Sequence, residues 1–413
     1  MPIANLKEIN KCLEFFNIFS KYLLSRKTVI DNNNELLFNE IIEFYKDKTE
    51  FDIYIYAINL SLYTCYYLKL VNNNSRKKLV EILNKDKYFN NGDFLKVPIL
   101  EQNYLINNLQ IEKGISKNQF LKENLFILFV CIINKKKLIT IGNTGTSKSL
   151  AIKILQSSMK GPLSKSFLLK QYPELLILKI QGTTTTSSQN IIDIFERAKH
   201  CHKMNEDMLI AVFFKDMDKI EDNPDNPLKN IYSEFESENK ITFIGTSNWF
   251  LDISLMNKVI YSINPEFDEN DIIEIGEEII KSYENKEEKY FEKYGNIIIN
   301  LCKAYYKYNN KKRNEEIKKE KDNEKNIHSI KDLYSLIKSL MNDIINNKNK
   351  ILEEKDIAKM CSKNIERNFG GMTNSIKDFK SFFFMNNKEF NNEYNILDCI
   401  KNNSCSFIIT FFN

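Results

Sequence analysis

The chain has 413 residues, 43% hydrophobic and 28% charged, enough to bury at least one large core and to divide into two or three domains. That balance excludes a wholly disordered chain. Its 59 basic and 55 acidic residues nearly cancel to a net +4, so composition gives no clear signal for a nucleic-acid partner.

In chain order, residues 1–115 read as a helical region of unknown role, with Asn-rich breaks at Asp31–Asn34 and Val71–Ser75. Met1–Lys11 lacks the apolar segment of a signal peptide. Ile53–Leu68 and Leu125–Ile133 are the most apolar stretches. The first is interrupted by Asn59, Ser61 and Thr64, and the second falls short of the roughly 20 residues a span requires, so both are expected as buried helices and no membrane span is expected. The helix predicted over Asn118–Ile133 turns from amphipathic to wholly apolar, which suits packing behind a sheet.

From Leu138 the pattern alternates. Short apolar runs at Leu138–Ile141, Leu175–Ile180, Leu209–Phe214 and Ile241–Ile244 predict strands. Helical periods at Ser149–Ser157, Gln189–Lys199 and Pro227–Glu236 lie between them, so parallel βαβ units form an α/β nucleotide-binding core over 116–262. Residues 263–385 then read as all-helical, with an acidic start at Asp268–Lys281, a helix at Tyr294–Tyr308 and a mixed charge run at Lys311–Lys325. Ile330, Leu333, Leu336, Ile337, Leu340, Met341 and Ile344 share one helical face. A tail over 386–413 carries no legible signal.

Between the first strand and its helix stands Gly142-Asn143-Thr144-Gly145-Thr146-Ser147-Lys148-Ser149, followed by Leu150. This is nearly the G-x-x-x-x-G-K-[ST] phosphate loop, with Ser147 in place of the second glycine. Such a loop binds phosphate because successive backbone N–H groups converge on it at a helix N-terminus. Lys148 would reach the terminal phosphates of ATP and the Ser149 hydroxyl would ligate Mg²⁺. If position 147 needs a positive φ, the serine carries strain of roughly 1–2 kcal/mol. The third strand ends in Lys215-Asp216-Met217-Asp218. Asp216 is the candidate carboxylate for metal and water, and Asp218 a second; both could also be ordinary loop acids. Gly245-Thr246-Ser247-Asn248-Trp249 places Asn248 after the next strand, where it could orient an attacking water. Eight cysteines without a C-x-x-C pair argue against zinc and disulfide frameworks and for a reducing cytoplasm. His200-Cys201-His202 reads as a solvated helix end.

Taken together, these segments resemble the AAA+ modules of the mysterin family, giant cytosolic proteins that join dynein-like AAA+ units to a RING-type ubiquitin ligase. The resemblance rests on Glu123-Asn124-Leu125-Phe126, Gly142–Leu150, Glu221-Asp222 with Pro227-Leu228-Lys229, and Gly245–Trp249 with Leu251-Asp252 and Met256-Asn257. Lys331–Lys338 and Arg367-Asn368-Phe369-Gly370-Gly371 extend it toward the C-terminus. It implies a P-loop NTPase sheet with a C-terminal helical lid, ATP and Mg²⁺ as ligands, and Ser147 as normal for the loop. It also implies neighbouring AAA+ modules and ubiquitination machinery as partners. Arg367 is the candidate nucleotide-sensing residue of the lid, unless it merely packs near the Gly370-Gly371 turn.

Two departures stand out. Lys215-Asp216 occupies the place of a consecutive Asp-Glu, and Lys258 the place of an arginine whose planar bidentate contact a lysine cannot reproduce. Both imply ATP binding with weakened or absent hydrolysis. The alternatives are an active ATPase using Asp216 and Asn248, and a nucleotide-free scaffold in a ubiquitin ligase assembly. Ubiquitin transfer itself finds no RING-like Cys/His spacing in this sequence.

Overall fold

The computed structural model describes residues 6–31, 39–86, 94–112, 114–221, 223, 227–236, 241–284, 289–318, 328–347, 354–370 and 375–383. The expected tail, Asp222, Gly371 and the end of the Lys311–Lys325 run lie outside them. The described residues fall into two compact units, one of residues 1–111 and 119–266 and one of 112–118 and 267–413.

The first unit begins with helices α1 (Leu6–Asp31), α2 (Asn39–Tyr45), α3 (Glu50–Cys65), α4 (Asn73–Leu83), α5 (Lys96–Asn108) and α6 (Gln119–Ile133). Then come β1 (Leu138–Ile141), α7 (Lys148–Ser158), α8 (Phe167–Lys170), β2 (Leu175–Gln181), α9 (Ser188–Met204) and β3 (Leu209–Lys215). It closes with α10 (Asp218–Glu221), α11 (Lys229–Glu236), β4 (Thr242–Ser247), α12 (Ile253–Lys258) and β5 (Ile260–Ile263). The five strands form one sheet in the order β2-β3-β4-β1-β5, and every pairing is parallel. The α/β parallel sheet expected from the alternating pattern is therefore present.

Three differences have physical causes. Strand β4 runs on through Gly245, Thr246 and Ser247, which read as turn residues yet pair with Ile139, Thr140 and Ile141 of β1. A side chain at Gly245 would press on the Met217 sulfur and on Ile139, so glycine lets the strand pass here without displacing either. Strand β5 escapes the sequence because Ile260-Tyr261-Ser262-Ile263 is short and follows a helix directly. Helix α7 starts at Lys148, one residue early, because the left-handed Ser147 caps it.

Helix α6 is buried almost throughout, from Phe120 to Ile132. It packs on β1, β3 and β4 with one side and on α5 with the other. Phe126 stacks on Phe19 of α1 at 6.1 Å and meets Tyr63 of α3 edge-on. An apolar residue on every face is what a helix between two layers requires. Among the described residues no helix is long and apolar enough to cross a membrane. On the other face of the sheet, Ile139, Ile191, Phe195, Val212, Phe214 and Phe243 form the core under α9 and α11.

The second unit contains α13 (Glu269–Lys281), α14 (Tyr290–Lys318), α15 (Ile330–Asn346), α16 (Glu354–Phe369) and α17 (Ser375–Phe383). The predicted face of α15 is buried at all seven positions. Its centre is aromatic, with Tyr305, Tyr308, Phe369 and Phe379 in mutual contact. His328 donates and accepts within it, bonding Tyr308 Oη at 2.8 Å and the Gly370 carbonyl at 3.3 Å.

Candidate nucleotide site

Because all strands are parallel, the turns after β1, β3, β4 and β5 leave from one edge of the sheet. In α/β sheets that carboxyl edge is where ligands sit. Strand β4 lies between β1 and β3, so Asn248 falls between the glycine-rich loop and Asp216.

The loop Gly142–Ser149 joins β1 to α7. Gly145 and Ser147 both have left-handed backbones, with φ of 91° and 61°. Ser147 therefore does occupy a position that favours glycine, and it carries the strain expected for an L-residue there. Two asparagines hold the loop from beneath. Asn124 of α6 donates to the Thr146 carbonyl at 2.9 Å, and Asn264, just past β5, donates to the same oxygen at 3.2 Å. Thr146 Oγ1 in turn donates to the Asn143 carbonyl at 2.8 Å. The Lys148 ammonium reaches back across the loop to the carbonyls of Gly142 and Asn143. Ser149 and Asn143 are exposed at the mouth, as are the first N–H groups of α7 by helix geometry.

The bracing was only partly legible. Asn124 belongs to a segment singled out by resemblance, with no role attached. Asn264 was not singled out at all; its signal is an asparagine directly before Pro265, at the end of a strand that was itself missed.

Both carboxylate oxygens of Glu123, next to Asn124, accept from Nη1 of Arg76 in α4, at 3.0 and 2.9 Å. Arg76 also donates to the Ile263 carbonyl at 2.8 Å and lies over the Tyr67 ring. Burial works against the arginine's charge, and the facing Glu123 carboxylate outweighs it, so its pKa stays raised. This pair fastens α4 to α6 and to the end of β5, next to the loop's two supports.

At the tip of β3 the two acids behave differently. Asp216 has a left-handed backbone, φ 55°, and its amide donates to Thr246 Oγ1 at 3.2 Å. A side chain at Gly182 would strike the Asp216 carbonyl, so the β2 end closes tightly on this turn. Its Oδ2 accepts from Gln181 Nε2 at 2.6 Å and lies 3.9 Å from the Lys215 ammonium and 3.8 Å from that of Lys219. Asp218 is 1% exposed, and both its oxygens are bonded by Asn248, one to the backbone N–H at 3.2 Å and the other to Nδ2 at 3.0 Å. The sequence brings Asn248 to the carboxyl edge as expected, but its side chain is held by Asp218, not by Asp216.

Mg²⁺ takes oxygen ligands at about 2.0–2.1 Å in octahedral geometry, normally one or two carboxylates besides phosphates. Here the Asp216 oxygen that would serve faces two ammonium groups, and Asp218 is fully engaged. Ser149 is exposed at the mouth of the loop. Among the described residues no group of three His, Cys, Asp or Glu side chains could hold a metal. The donors present fit Mg²⁺ poorly.

Arg367 ends α16 in the second unit. Among the described residues, no hydrogen bond or ion pair engages its guanidinium. Lys258 lies over the Tyr232 ring at 4.8 Å. His200, Cys201 and His202 lie in the final turns of α9.

Residues 114–271 match the family model described as the RNF213 AAA domain. The chain is 25% identical over 349 residues to the E3 ubiquitin-protein ligase RNF213 of Homo sapiens, covering 81% of this chain and 6% of that protein. It is 28% identical over 328 residues to E3 ubiquitin-protein ligase rnf213-beta of Danio rerio, covering 76% and 6%. A solved structure of the Aeropyrum pernix ORC2 protein, in ADPNP-ADP complexes, is similar with a TM-score of 0.43 at 10% identity, covering 62% of this chain and 72% of that one. The chain thus spans about 6% of the length of the curated relatives it matches. A parallel five-stranded sheet with a glycine-rich loop at its carboxyl edge thus stands in the part of the chain, residues 114–271, that is similar to the RNF213 AAA domain.

Proposed function

We propose that the chain is an AAA+ module that binds ATP at Gly142–Ser149 and hydrolyses it weakly or not at all, in a structural or regulatory role. The observation that carries the reading is the loop itself: left-handed at Gly145 and Ser147, braced by Asn124 and Asn264, with Lys148 folded over it. Weak hydrolysis is supported by the Asp216 carboxylate, which Gln181, Lys215 and Lys219 surround. Titration with a fluorescent ATP analogue tests binding. Saturation is expected, with at least a tenfold loss in Lys148→Ala; no saturation, or an unchanged Lys148→Ala, overturns the reading.

The rival reading, an active ATPase, draws support from Asn248, which Asp218 fixes between the loop and Asp216. Steady turnover that disappears in Asp216→Asn would favour it.

Neighbouring AAA+ modules are the proposed partners. Trp249, Phe250 and Ile253 stand exposed next to Asn248, at the edge where such a neighbour would sit. A role within a ubiquitin ligase assembly rests on the named relatives alone. Arg367 is proposed as the lid's nucleotide sensor, and loss of affinity in Arg367→Ala tests that.

A further inference from the structure

Three groups at the carboxyl edge have a charge pattern that the nucleotide-binding reading does not by itself explain. A bound triphosphate brings three to four negative charges, which in most phosphate-loop sites a carboxylate-held divalent cation helps to neutralise. Here the acid at the tip of β3 is poorly placed for that role. Its Oδ2 already accepts from Gln181 Nε2 at 2.6 Å, and two ammonium groups lie within 4 Å of the same oxygen. A divalent ion there would face two like charges and displace a short hydrogen bond.

The backbone that carries the acid is held in place as well. Asp216 is fixed through its backbone by Thr246 and by the close approach of Gly182. Asp218, the other acid of the turn, has both oxygens committed to Asn248. Lys215 and Lys219, by contrast, are roughly half exposed on flexible stems. Their pairs with Asp216 are long and near the surface, so they yield readily to a stronger anion.

We propose that this site takes a nucleoside triphosphate without a divalent cation, Lys215 and Lys219 together with Lys148 supplying the positive charge that Mg²⁺ would otherwise bring. The proposal rests on the reading of Gly142–Ser149 as a nucleotide site and adds to it a property of that site. The ammonium groups would move from the Asp216 carboxylate to the outer phosphate oxygens, leaving Asp216 with its Gln181 bond. The ligand class is the free polyphosphate anion of a nucleotide, not its magnesium complex.

The experiment compares binding of a fluorescent ATP analogue to the full chain in excess EDTA and in millimolar Mg²⁺. The expected result is a dissociation constant that differs by less than threefold between the two buffers. In the double variant Lys215→Asp/Lys219→Gln, which replaces an ammonium by a carboxylate, the constant in EDTA should rise at least tenfold while Mg²⁺ restores most of the loss. A wild type that loses tenfold or more in EDTA overturns the proposal and leaves the nucleotide site standing. A double variant as insensitive to Mg²⁺ as the wild type overturns the part assigned to the two lysines. No saturation in either buffer removes the nucleotide reading itself, and the proposal with it. The wild-type comparison needs no substitution, so a variant that fails to fold does not blunt the test.

Discussion

At the scale of single residues, Ser147 is the position where cost and use can be separated. Its left-handed backbone disfavours any L-residue by roughly 1–2 kcal/mol, against the ~0.5–1 kcal/mol of added chain entropy that a glycine brings. Ser147→Gly should therefore leave stability unchanged or raise it by up to about 1 kcal/mol, with nucleotide affinity retained; thermal melts and the fluorescent titration read both. Asn124→Ala should do the reverse. It removes one of two donors to the buried Thr146 carbonyl, costing about 1–2 kcal/mol and loosening the loop, so the melting temperature and the affinity fall together. The loop was legible because its spacing and its strand-helix context follow from local chain chemistry. The bracing was not, because Asn124 and Asn264 reach Thr146 from 22 and 118 residues away. No local pattern encodes such a contact.

At the scale of elements, periodicity carried most of the fold. Four of five strands and the buried face of α15 follow from apolar spacing alone. Where it failed, a tertiary contact had overridden a local signal, as with Gly245, which reads as a turn but lies in a strand under the Met217 sulfur. The pair Arg76–Glu123 could not be foreseen for the same reason, since its partners stand 47 residues apart on different helices. It ties α4 to α6, and α6 carries Asn124. Breaking it by Arg76→Ala strands a buried carboxylate and should cost about 3–5 kcal/mol, measured by chemical denaturation. Replacing both partners by leucine should recover a large part of that loss, because no buried charge is then left alone.

At the scale of the whole molecule, two buried groups of the second unit should answer oppositely to acid. Burial is the main cause that holds His328 below the usual histidine range, against the pull of the Gly370 carbonyl. A histidine depressed on folding stabilises above its unfolded pKa, and that contribution is lost as pH falls through about 6.5 and below. Asp271 works in the opposite sense: burial raises it to about 6, so its folded carboxyl gains on the unfolded one as pH falls through that value. Melts of wild type and His328→Gln between pH 7.5 and 5 separate the two, and the wild type should lose the more stability on acidification. The turn at the tip of β3 has a different bearing on the molecule. Gly182 and Gly245 pin it from two sides, through contacts with the Asp216 carbonyl and the Met217 side chain, and neither contact involves the side chain of residue 215. The frame is thus indifferent to what residue 215 is. A lineage can thus reverse the charge at residue 215 without rebuilding the backbone around the site; Lys215→Asp should accordingly melt within a degree or two of the wild type.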